Sequence, residues 1–178
     1  MASFEVAYNF MMDNEDRARD YEAVPDAPSG AHAISGINSA SFPGEFAAIV
    51  SSEQSQRPDL IKKFYLNHFW TKGLAQINSD ELCKRVFDAS VNCGPRTAIE
   101  ILQRAINPIA LKMAAPGSYL LIIDGAWGRH TVESANALDP ARLVPAFCAE
   151  RVLHYQAIVA ANPADAVYLA AWTARALK

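Results

Sequence analysis

Apolar positions along the chain recur mostly at helical spacing. Phe4 to Met12 is a first apolar run. From Pro58 to Trp70, Ile61, Phe64, Tyr65, His68 and Phe69 fall at i, i+3, i+4, i+7 and i+8, one face of an amphipathic helix. Asn78 followed by Glu81 has the form of a capping box. Leu82, Val86, Phe87 and Ser90 continue one face beyond it, predicting a helix that stops at "NCGP". Arg96–Ile106, Pro140–Ala161 and Ala164–Leu177 complete the helical pattern, and Val144, Cys148, Val152, Tyr155 and Val159 share a face of the longest. Two stretches break the period. Residues 22–44 are rich in proline, glycine and serine and predict an irregular segment with a short hairpin. "SYLLIIDG", 118–125, reads as an extended piece with no strand to pair with. The pattern predicts an all-α fold with an irregular loop or β-hairpin near 20–44, and no linker divides 1–178.

Length and composition narrow this picture. At 178 residues the chain suits one packed domain. A net charge of −3 with no basic cluster argues against nucleic acid as the partner. No apolar run approaches the ~18 residues needed for a membrane span, and the N-terminus has no basic-then-apolar leader. Three cysteines without CxxC spacing predict neither a disulfide framework nor a zinc site; Cys83 and Cys148 read as small buried hydrophobes. The four histidines are scattered without metal-ligand spacing, and nothing calls for a cofactor.

The candidate chemistry starts where the first apolar run meets Asp13, Glu15 and Asp16. Carboxylates at a helix C-terminus face a negative dipole and one another, which should raise the pKa of one and suit it to general-acid work. The plain alternative is a capped helical turn with a surface Glu15–Arg19 pair. Asp26 and His32 in the following loop supply a second carboxylate and a polar side chain, as glycoside hydrolysis requires. Trp70, Trp127 and Trp172 can stack on sugar rings or fill the core. Asp88 and Asn92 lie one helical turn apart and either line a cleft or brace the helix end.

Several segments together resemble glycoside hydrolase family 108, the lysozyme-like N-acetylmuramidases, with the helical peptidoglycan-binding region that follows in that family. "FMMDNED" fits the phage form of the family's first-helix ending, N-E-D, and places its catalytic Glu on Glu15. "YLNHFW", "VFDASVNCGPRTAIEILQRAI", "IDGAWGRHTVESAN" and "FCAERVLHYQAIVAANPADAVYLAAW" resemble its later motifs, the last corresponding to A-E-R-x-x-x-Y and a closing G-W-x-x-R. The loop departs from the pattern: Asp26 and Gly36-Ile37 are kept, but Ala33 stands where the family places Thr and Ser35 where it places an aromatic.

The resemblance implies a lysozyme-like helical domain, with 1–81 carrying the Glu helix and loop and 82–178 a peptidoglycan-binding-like region packed on it. It implies cleavage of the β-1,4 bond between N-acetylmuramic acid and N-acetylglucosamine, with Glu15 as general acid and Asp26 positioning water or stabilising charge. His32, Trp70, Asp88 and Asn92 are the expected substrate contacts, with His32 or Ser35 standing in for the absent Thr. The implied setting is a phage or prophage endolysin: a monomer made in the cytoplasm without a leader and acting at the cell wall, reached after a holin opens the membrane or as a virion component. Its rivals are a catalytically impaired peptidoglycan-binding protein and a virion- or secretion-associated interaction protein.

Overall fold

The computed structural model describes residues 2–26, 30–113 and 116–178. The fold is mainly helical, with a small three-stranded antiparallel sheet near the N-terminus. Helix α1 (Phe4–Glu15) buries Ala7, Tyr8, Met11 and Met12 against α5 (Asp80–Cys93). It runs one turn beyond the apolar stretch, so the acids sit on its last turn.

The segment 22–44 holds more order than a single hairpin. Strands β1 (Ala23–Asp26), β2 (Ala31–Ile34) and β3 (Ile37–Asn38) form a meander, and residues 27–29 of the β1–β2 connection lie outside the described residues. Asp26 stands opposite Ala31, Pro25 opposite His32, and Ala33 opposite both Val24 and Asn38. Helix α2 (Pro43–Val50) follows; the sequence reading missed it because its eight residues are too few to show a period. Helix α3 (Arg57–His68) buries Ile61, Phe64 and Tyr65 of the expected stripe. Helix α4 (Lys72–Ala75) is a single turn capped by Thr71.

Helix α5 is capped by Ser79, whose hydroxyl accepts from the Leu82 N–H at 3.2 Å. The cap is thus one residue later than expected, and Glu81 turns outward to Lys84 and Arg85 at 2.6 Å each. Gly94 ends α5 and Pro95 begins α6 (Pro95–Met113), which outlasts the predicted segment by two turns. Among the described residues, 118–123 join no sheet. This stretch is fastened by side chains: Asn107 exchanges hydrogen bonds with the Leu121 N–H and C=O, and Gln103 accepts from the N–H groups of Asp124 and Gly125.

Helices α7 (Arg129–Ala137), α8 (Pro140–Ala161) and α9 (Leu169–Leu177) close the chain, with a 3₁₀ turn over Pro163–Tyr168 replacing the predicted start of the last helix. The buried face of α8 is Leu143, Phe147, Cys148, Arg151 and Tyr155, rotated from the expected valine stripe. A continuous core runs from Ala7 on α1 to Phe147 on α8. Cys83 and Cys148 are free and buried, as expected, and burial pushes the Cys83 thiol up to about 12. Among the described residues no helix is long and apolar enough to cross a membrane.

Candidate functional site

The acids at the end of α1 do not share one site. Asp13 pairs with Arg19 at 3.0 Å. Asp16 accepts from the N–H groups of Arg19 and Tyr21 at 2.8 and 3.3 Å, and from the Ser35 hydroxyl at 2.6 Å. Glu15 accepts from Arg175 Nη2 at 2.5 Å, across from α9. The expected crowding is therefore relieved: each carboxylate meets its own donor. Glu15 and Arg175 keep only 17% and 15% of their side chains exposed, so their contact is screened less than a surface pair.

The β2–β3 turn walls Glu15 on another side. Ser35 and Gly36 both have positive φ, 46° and 82°, as a two-residue hairpin turn of the primed type demands. Ser35 is held there by its hydroxyl on Asp16 and by Tyr65, whose OH donates to the Ser35 carbonyl at 2.6 Å. A Cβ on Gly36 would fall 2.6 Å from Glu15 Oε2 and 2.8 Å from the Tyr65 oxygen. Only glycine lets the turn approach that closely. Burial, reinforced by the Glu15 charge, pushes the Tyr65 phenol well above its ordinary value, so it stays a donor.

Alternation along the sheet sorts the loop residues. Asp26, Ala31, Ala33 and Asn38 share one face, and Asn38 Nδ2 donates to Asp26 across it. His32 points to the other face with Pro25 and is exposed. His32 is therefore on the wrong side of the sheet to stand in for a hydroxyl at Ala33. Asn38, which the sequence reading passed over, is the polar side chain directly opposite Ala33 on that face, and Ser35 is committed to Asp16.

Asp88 and Asn92 part company. The Asp88 side chain has no exposure and lies beneath the surface, ion-paired to Arg151 and Arg175 at 2.8 Å each and accepting from Asn14 Nδ2 at 3.1 Å. Asn92 is exposed; its Oδ1 accepts from the Tyr155 OH at 2.5 Å, and it lines a groove of about 410 Å³ with Asp13, Asn14, Trp172, Arg175 and Lys178. Trp172 stacks between Tyr155 and Tyr168, with centroids 5.3 and 5.5 Å away. Trp70 packs edge-on against Phe4 and Phe87 at 5.3 and 5.8 Å, a half-buried part of the core wall.

Glu15, Arg175, Asp88 and Arg151 thus form one chain of alternating charge linking α1, α9, α5 and α8. Burial alone would lower the pKa of both arginines. Asp88 together with Tyr155 at Arg151, and with Glu15 at Arg175, more than offsets it, and both stay firmly cationic. The arginines were missed as site residues. One signal was present: Arg151 falls four residues before Tyr155 on an otherwise apolar helix face, where a cation requires a carboxylate partner.

Residues 97–177 match the family model described as a predicted peptidoglycan domain. The matched part includes most of α6 and all of α7, α8 and α9, and so both arginines of the network. The similarity to a peptidoglycan-related family is confined to that part of the chain. No curated protein matches the chain.

Proposed function

We propose that this chain is a peptidoglycan hydrolase of the lysozyme type, cleaving the β-1,4 bond between N-acetylmuramic acid and N-acetylglucosamine. The observation that carries the reading is the seat of Glu15: a half-buried carboxyl at a helix end, pressed against the hairpin turn of the sheet that bears Asp26. In this reading Glu15 protonates the departing glycosidic oxygen as the sugar gains oxocarbenium character. Asp26, oriented by Asn38, positions water or balances the developing positive charge. A general acid has to face the glycosidic oxygen, and here Arg175 occupies Glu15 Oε1. Turnover therefore requires sugar binding to loosen the Glu15–Arg175 pair. A phage endolysin acting at the wall as a monomer, admitted by a holin, is the setting we attach to this activity.

The same ion pair favours a second reading, a peptidoglycan-binding protein without turnover, since a Glu15 locked to a guanidinium donates no proton. Mass spectrometry of the material released from purified peptidoglycan separates the two. Fragments with reducing muramic acid ends support the hydrolase. Anhydro ends indicate a lytic transglycosylase and reducing glucosamine ends a glucosaminidase. Binding without release supports the second reading, and absence of binding excludes both.

A further inference from the structure

A groove of about 500 Å³ opens between α4 and the start of α7, lined by Lys72, Gly73, Gln76, Trp127, Arg129 and Glu133 among others. It is remote from Glu15. Ala2 N–H donates to the Ile77 carbonyl at 2.6 Å and Ser3 N–H to Asp80 at 2.8 Å, so the α4–α5 junction sits at the first residue of α1 and Glu15 at its last. Twelve helical residues at 1.5 Å each put the two regions roughly 17 Å apart along α1. We propose that this groove is a second peptidoglycan subsite, taking an N-acetylhexosamine unit that bears a carboxylate; the proposal rests on peptidoglycan being the substrate.

Three features carry it. The Trp127 indole lies on Gly73 so closely that a Cβ there would come 2.2 Å from its ring, so the ring is seated rather than loose. A fixed, half-exposed aromatic wall is what the CH face of a sugar packs against. The loop bearing it is knotted from beneath by Gln103, buried, whose amide reaches Asp124, Gly125, Ala126 and Thr131. Finally, the groove is locally cationic although the chain carries −3. Arg129 is matched by Glu133 at 2.6 Å, while Lys72, exposed, has no ion partner among the described residues. Lys72 is thus placed for the ligand's carboxylate, with Gln76 beside it for an amide. A second foothold on a polymer raises avidity without tightening the first.

The test uses the whole chain and two soluble probes: the disaccharide N-acetylglucosaminyl-N-acetylmuramic acid, which lacks the bond to be cleaved, and neutral di-N-acetylchitobiose. Binding is followed by the indole N–H resonance of Trp127, assigned through Trp127→Phe. The expected result is a shift of that resonance with about tenfold tighter binding of the carboxylated probe, and loss of the preference in Lys72→Gln. Equal affinity for the two probes, no effect of Lys72→Gln, or shifts confined to Trp172 overturns the proposal. Fragment release by wild type is measured in parallel. Release without a Trp127 response overturns the subsite alone, whereas neither release nor binding to purified peptidoglycan overturns the hydrolase reading and the subsite together.

Discussion

Removing Asp88 tests the charged network directly. Asp88 is wholly buried and accepts from Arg151, Arg175 and Asn14. In Asp88→Ala, Arg151, 1% exposed, keeps only the Tyr155 oxygen at 2.8 Å and Asn92 at 3.5 Å. Stripping one partner from a buried ion pair costs about 3–5 kcal/mol. The lower end applies, because Arg175 retains Glu15 and reaches solvent with 15% of its side chain. Urea titration should therefore show a loss of about 3 kcal/mol, a midpoint shift of roughly 1.5 M for m near 2 kcal/mol/M, with m unchanged. The double variant Asp88→Leu/Arg151→Met leaves no charge stranded between α5 and α8. It should be more stable than the sum of its single variants predicts, by at least ~1 kcal/mol. A loss under ~1 kcal/mol in Asp88→Ala, or strict additivity, refutes the network as described.

Other outcomes follow from the same geometry. Gly36→Ala forces a Cβ into the left-handed region against Glu15 Oε2; thermal denaturation should register a loss of about 1–2 kcal/mol and fragment release should fall about 100-fold, and normal release would show that Glu15 needs no such seating. Gln103→Leu should cost about 1–3 kcal/mol and speed hydrogen exchange at the Asp124 and Gly125 amides, while unchanged exchange would mean that the loop is held by something else. Burial, with Arg104 adding, holds His154 below its ordinary value, so the fold favours neutral imidazole. That contribution is present above about pH 6.5 and is lost as pH falls through the lower folded value. Wild-type stability should drop more steeply than that of His154→Gln between pH 7 and 5; parallel profiles would contradict the assignment.

The long elements were legible because period and punctuation agreed: α8 begins at Pro140 and ends at Ala161 as the sequence reading had it, and α5 stops at Gly94. The failures were local. Asn78 and Ser79 are adjacent capping residues, and only the backbone geometry decides that Ser79 takes the Leu82 N–H. Short α2, α4 and α7 carry too few turns to show a stripe. At the candidate site, spacing along one helix placed Asp88 and Asn92 together but not their depth. Depth depends on Arg151 and Arg175, which are 63 and 87 residues away from Asp88. His32 and Asp26 look interchangeable as loop residues until the register assigns them to opposite faces of the sheet.

The general-acid role of Glu15 is tested with least disturbance by replacing one carboxyl oxygen with an amide nitrogen. Glu15→Gln is to be compared with wild type for the rate of reducing muramic acid ends released from purified peptidoglycan, after urea titration has shown that both are folded. Loss of a general acid lowers such rates by about 10²–10⁴-fold. Glu15→Gln should lose release in that range while still binding the polymer; release at the wild-type rate would rule out Glu15 as the general acid.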